Sequence, residues 1–174
     1  MASRSFDDTV LPHLDAAFNY ARWLTRNDAD AEDVVQDACV RALRFFASLR
    51  DDDARAWLLT IVRNAWYSRV GRRTPEAHSI HISELAHEPS DSALDPEALL
   101  SQRDTVAHVR EALTELPVDF REVIVLRELE GFSYKEIAVV INAPIGTVMS
   151  RLARARERLS AVLQQPPVEM ETAQ

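Results

Sequence analysis

The sequence has one cysteine, Cys39, three glycines and a single lysine, Lys135, in 174 residues. One thiol cannot close an internal disulfide, so the chain fits a reducing compartment. With glycine confined to Gly71, Gly131 and Gly146, no phosphate-cradling loop and no dinucleotide fingerprint can be written. No Ser-His-Asp set appears either, and no enzyme chemistry or cofactor is expected. No apolar run exceeds a few residues, as in Ile137 to Ile141, and the start, MASRSFDD, has no apolar signal core. Neither secretion nor membrane insertion is expected, and the expected location is cytoplasmic. Net positive charge is also missing. The 28 acids against 20 bases give −8, which argues against the simplest nucleic-acid binder, one with a basic isoelectric point.

What is present is uneven. Residues 1–53 carry net −5, residues 54–75 net +5 with no acid at all, residues 76–104 net −6, and residues 105–174 net −2. Thr147 to Arg158 adds a second island, four Arg against one Glu. Nineteen of the 20 bases are Arg, whose planar fork suits phosphate, although a high-GC genome gives the same bias. A hydrophobic share of 47% supports a packed core.

Long stretches free of glycine, with apolar residues three and four apart, predict an all-α chain. The first helix is expected from about Asp7 to Arg26, bent or shortened at Pro12. The second starts near Asp28 or Asp30, with Val35, Ala38, Ala42 and Phe46 on one side and Asp33, Asp37, Arg41 and Arg44 on the other. Asp51, Asp52 and Asp53 precede a third helix, Ala54 to Val70, with Gly71 suited to a left-handed end. Periodicity then fails to Leu94, which marks a linker between two domains. Asp95-Pro96-Glu97 starts a helix ending near Leu116, and Pro117 opens another that runs to Gly131. Ser133-Tyr134-Lys135-Glu136 is a capping box. It starts a short helix to about Ile141; a turn containing Pro144 and Gly146 follows, and Thr147 opens the last helix, to about Gln164. The predicted architecture is two small helical domains, residues 5–73 and 95–165, joined by a flexible acidic linker, 74–94, with a flexible tail, 166–174.

A short helix, a tight turn and a second helix with an Arg-bearing face form a helix-turn-helix arrangement. Val148, Leu152, Ala155 and Leu159 cluster on an inner face. Thr147, Ser150, Arg151, Arg154 and Arg158 cluster on an outer one, where hydroxyls and guanidinium forks can meet phosphates and base edges. A merely solvated charged face is the alternative, and the capping box and turn favour the groove. In the other basic island Trp57, Trp66 and Tyr67 are interleaved with Arg63, Arg69, Arg72 and Arg73. Aromatics among cations suit an unpaired strand, although Trp57 and Trp66 can equally be core anchors. His78, His81 and His87 have metal-like spacing in an acidic stretch without cysteine, so no metal site is expected. Cys39 is read as a small residue buried beside the inward stripe of its helix.

Three segments together resemble the extracytoplasmic-function, or group 4, sigma factors of bacterial RNA polymerase. They are Asp30 to Ala38 (DAEDVVQDA), Ala56 to Ala65 (AWLLTIVRNA), and the stretch from Leu116-Pro117 through Gly131 to Ala138 (GFSYKEIA) and Pro144 to Arg151 (PIGTVMSR). They occur in family order, with the linker between, over roughly residues 7–163.

The resemblance implies a non-catalytic initiation factor. Its N-terminal domain would correspond to sigma region 2, with Asp33, Gln36, Asp37 and Arg41 docking on the clamp helices of the largest polymerase subunit. Arg63, Asn64 and Tyr67, with Arg72 and Arg73, would hold the unpaired strand of the −10 element. Its C-terminal domain would correspond to region 4, meeting the flap of the second-largest subunit and placing Thr147, Ser150, Arg151, Arg154 and Arg158 at the −35 element. Core polymerase, promoter DNA and an anti-sigma protein are the implied partners. Three positions depart from the family pattern: Cys39 replaces a common aromatic, the loop from Leu49 to Arg55 has no aromatic to line a base pocket, and Met149 stands where Arg is frequent. The rival readings are a conventional helix-turn-helix regulator of duplex DNA and a helical interaction module without DNA contact.

Overall fold

The computed structural model describes residues 5–50, 53–71 and 96–165. Asp51, Asp52, Arg72, Arg73, the 74–94 linker with its three histidines, Asp95 and the 166–174 tail lie outside the described residues. Every regular element among the described residues is helical.

Proline divides the first helix as its missing amide requires. Phe6–Val10 (α1) is followed by a 3-10 turn, Leu11–His13, and then Leu14–Thr25 (α2). The third helix, Asp28–Phe45 (α3), is capped by Asn27, whose side chain accepts from the Asp30 amide at 3.0 Å. Asp28 and Asp30 therefore lie in the first turn, where their charge meets the positive end of the helix, and are not the cap. Asp53 caps Ala54–Val70 (α4) through the Ala56 amide at 3.0 Å. Gly71 ends that helix with φ −65°, so the left-handed end expected there is absent.

The second group is Pro96–Glu115 (α5), Val118–Ile124 (α6), Tyr134–Ile141 (α7) and Ile145–Leu163 (α8). The helix opened by Pro117 does continue toward Gly131, but its last turn, Val125–Leu129, widens to a π-turn. Gly131 follows at φ 69°, a backbone that suits glycine. The last helix starts at Ile145, two residues before Thr147, because Pro144 already supplies the extended backbone of a cap.

Alanines let the helices of the first group approach closely. Ala17, Ala21, Ala31, Ala38, Ala42 and Ala65 are all buried where α2, α3 and α4 meet, with Leu58, Leu59 and Val62 between them. In the second group Leu113, Val123, Leu126, Ile137, Val140, Val148 and Leu152 fill the space between α5, α6, α7 and α8. The two groups also pack on each other, α4 on α7 and α2 on α6, so the buried residues form one continuous cluster. No apolar periodicity announced that contact.

Candidate nucleic-acid interface

The helix-turn-helix is built as its residues dictate. Ser133 accepts from the Glu136 amide at 3.2 Å while the Glu136 carboxylate accepts from the Ser133 amide, which completes the capping box. Those bonds, the backbone one first, hold the Glu136 carboxyl below its usual range. Asn142 takes a left-handed φ of 51° and ends α7. The chain then bends by 99° into α8, within the range usual for this motif. Val148, Leu152 and Ala155 are buried and Leu159 packs against the same core.

The opposite side of α8 carries Ser150, Arg154 and Arg158, all exposed, with Thr147 and Arg151 half-buried. The cations differ in how they are held. Arg156 pairs with Glu128 at 2.8 Å, and Arg158 lies over the Phe120 ring at 4.8 Å. Met149 is among the exposed large apolar residues.

On α4, Leu58, Leu59, Val62 and Ala65 face inward. Trp57 and Trp66 are partly buried and packed against the core, so the anchor reading describes much of their surface. Trp66 also meets Tyr67 edge to face, with ring centroids 4.6 Å apart. Asn64 is exposed, whereas Arg63 and Tyr67 are half-buried. The Arg63 guanidinium lies 4.4 Å from the Tyr67 ring centre. Its Nε and Nη2 donate to the Glu122 carboxylate at 2.9 and 3.1 Å, and the Tyr20 hydroxyl donates to the same carboxylate at 3.2 Å. Burial and then the neighbouring Glu122 charge push the Tyr20 hydroxyl well above its ordinary pKa. For Arg63, burial acts to lower the pKa, but the hydrogen bond and charge of Glu122 prevail and raise it. The sequence pattern groups Arg63 with the aromatics and cations of the basic island and gives no role to Glu122 or Tyr20.

Arg55 shows the same pattern at the start of α4. It pairs with Glu130 at 2.7 Å, also donates to the Glu130 carbonyl, and stacks 4.5 Å from the centre of the buried Phe132 ring.

The third cluster lies on α3. Asp37 pairs with Arg41 at 3.0 Å, Asp33 with Arg69 of α4 at 3.2 Å, and Gln36 is exposed. Val40, Leu43 and Phe45 are exposed beside them. The sequence offered a signal for these three, apolar residues off the inward stripe, that polarity-based selection passes over. Cys39 is half-buried, and burial raises its thiol pKa. Among the described residues no group of acids, histidines and cysteine is arranged to hold a metal, and no single helix is long and apolar enough to cross a membrane.

Comparison with known proteins gives these three surfaces a context. Residues 9–76 match the family described as Sigma-70 region 2, and residues 108–159 the one described as Sigma-70, region 4. The sequence is 33% identical over 169 residues to the RNA polymerase sigma-H factor of Pseudomonas aeruginosa, covering 92% of this chain and 87% of that one. It is 38% identical over 143 residues to the ECF RNA polymerase sigma-E factor of Escherichia coli K12, covering 78% and 74%. Among solved structures, the sigma factor RpoE of Bartonella quintana, in complex with the anti-sigma factor NepR, superposes with a TM-score of 0.71. That match has 33% identity and covers 91% of this chain and 96% of that one. CnrH, in complex with the cytosolic domain of CnrY, gives a TM-score of 0.62 at 30% identity over 91% and 86%.

Proposed function

The chain belongs to the extracytoplasmic-function branch of the sigma-70 family, and on that premise we propose which of its residues divide the work of initiation. As a member it is an alternative sigma factor, a non-catalytic subunit that gives RNA polymerase its promoter recognition, with region 2 and region 4 domains. In our reading the first domain extends over 5–73 and the second over 95–165.

The −35 element is read by α8. Its first turns enter the major groove, where Thr147 and Ser150 hydroxyls and the Arg151 and Arg154 forks meet phosphates or bases, with Arg158 further along the backbone. The −10 element is read on α4, where Asn64 hydrogen-bonds an unpaired base and Arg63 and Tyr67, with Arg72 and Arg73, hold the strand beside it. Captured bases and backbone contacts offset lost stacking, so this step needs no nucleotide hydrolysis.

Core polymerase docks on α3. Gln36 and Arg41 supply polar contacts beside the pairs made by Asp33 and Asp37, and exposed Val40, Leu43 and Phe45 supply the apolar area that an interface core requires. The flap of the second-largest subunit contacts region 4, and the protein works in the cytoplasm. An anti-sigma protein is the further partner, because the similar sigma factor RpoE is seen bound to one. A groove lined by Trp23, Val109, Leu113 and Leu129, with Arg22 and Arg110 in its wall, supports that partner.

The observation that carries the reading is the capped, 99° helix-turn-helix with its outward arginines on the same chain as a region 2 match. Reconstitution with core polymerase on a promoter library, followed by transcription in vitro, tests it. Promoter-dependent transcripts are expected. Their absence, together with tight duplex binding by the free chain, would indicate a conventional regulator instead.

A further inference from the structure

The outer side of α8 has a second lane that the contacts assigned above leave unused. At about 100° per residue, Thr147, Arg151, Arg154 and Arg158 fall on one flank of that side, and Ile145, Met149 and Ala153 on the other. All three of the latter are exposed, Ile145 by 41% and Met149 by 53%, and none belongs to the core or packs against it. Single apolar side chains on a surface are ordinary. These stand in the first turns of the helix that enters the groove, where an apolar side chain has a defined counterpart.

The neighbours of Met149 sharpen its chemistry. Gly146, one turn earlier, has no side chain, and a carbon added there would meet open space. Ala153, one turn later, adds only a methyl group. Met149 therefore stands above its surroundings as an unbranched, adaptable apolar arm. The Ser150 hydroxyl donates to the Thr147 carbonyl at 3.1 Å, so it offers the groove an acceptor and not a hydrogen. Around Met149, then, no side chain of this lane donates outward. Guanine presents its N7 and O6 acceptors in the major groove and would leave them unanswered here, whereas thymine presents the C5 methyl, an apolar group on the base edge.

We propose that Met149 is a specificity-determining residue of the −35 contact, packing its thioether on a thymine methyl and disfavouring guanine at that base pair. The inference rests on the assignment of α8 to the −35 groove and adds a base preference to it. Arginine forks on the opposite flank draw the helix to duplex DNA through its phosphates, and that attraction is salt-dependent. Met149 carries no charge, so its contribution is selectivity between bases without any share in the salt slope.

The test uses the holoenzyme and the −35 fragment it selects from a promoter library, with each thymine of either strand replaced singly by deoxyuridine. That exchange removes one methyl group and leaves every hydrogen-bonding edge intact. At one position wild-type affinity is expected to fall about fourfold, the worth of one buried methyl. Met149→Ala, at an exposed site that spares the fold, is expected to bind the thymine fragment about fourfold more weakly, to ignore that uridine, and to keep the wild-type salt slope. Met149→Arg is expected to shift preference at the same base pair to guanine, which a guanidinium fork can grip. Identical uridine profiles for wild type and Met149→Ala overturn the inference, as does a selected element without thymine in either strand. If the holoenzyme still prefers the selected fragment over a scrambled duplex, those results remove Met149 alone and leave α8 as the −35 reader. Loss of that preference overturns the assignment of α8 and the role of Met149 with it.

Discussion

Replacing Arg154 by Ala should flatten the salt dependence of promoter binding by the polymerase holoenzyme, and replacing Arg156 should not. The two side chains sit two positions apart on α8, on different sides of the helix, and both are exposed. Arg156 is paired with Glu128 at 2.8 Å, so its charge is already answered within region 4, whereas Arg154 projects from the face that carries Ser150. Each phosphate neutralised by a cation contributes about −0.9 to the slope of log affinity against log salt. Raising salt fourfold, from about 50 to about 200 mM, should therefore cost the wild type about 3.5-fold more affinity than it costs Arg154→Ala. The assay is filter binding or anisotropy on a −35-containing fragment over that salt range, with Arg156→Ala as the internal control. Equal flattening in both variants would mean that the Glu128 pair does not spare Arg156 and would overturn the distinction between the two arginines. An unchanged slope for Arg154→Ala with relaxed preference at one base pair would move Arg154 from phosphate to base edge.

Asn64→Ala, at an exposed position of α4, should impair open-complex formation more than polymerase binding; equal loss of both would remove it from strand capture. Ser133→Ala breaks the capping box and should cost about 1 kcal/mol, read as a lowered midpoint in urea with an unchanged slope. The Glu136 carboxyl has a folded-state pKa below its unfolded value. Its contribution is therefore fully present above the unfolded pKa of about 4.3 and is lost as pH falls through the folded pKa. Glu136→Gln should flatten stability against pH in that acidic window and nowhere else. Leu152→Ala, at a side chain 1% exposed, should cost about 2–5 kcal/mol and lose −35-dependent transcription with it, which thermal melting and runoff transcription would show together.

Local chemistry was legible in the residues, and tertiary contact was not. The capping box, the Pro12 break, the start of α4 at Ala54 and the inner stripe of α8 all follow from spacing and side-chain type over a few positions. The small errors are local competitions. Asn27 took the cap from Asp28 and Asp30, because the chain was already extended one residue earlier. Gly71 stayed right-handed. Pro144, not Thr147, set the start of α8. The larger omission is of another kind. Arg63 and Glu122 are 59 positions apart, and no periodicity links them. Yet the stretch from Phe120 to Leu126 holds a clue, Arg121 and Glu122 inside an otherwise apolar run. Two charges on the buried side of a short helix require partners elsewhere, and an acid-free basic helix in the same chain is the natural place to seek one.

That pairing also revises what the net charge of −8 does. Acid spread evenly over a surface would weaken association with DNA by long-range repulsion, which about 0.15 M salt screens beyond roughly 8 Å. Glu122 and Glu130 act differently, because they sit on two of the three α4 arginines, Arg63 and Arg55, at hydrogen-bonding distance, where screening is weak. Added salt should therefore do little to expose the strand-reading face of the free chain.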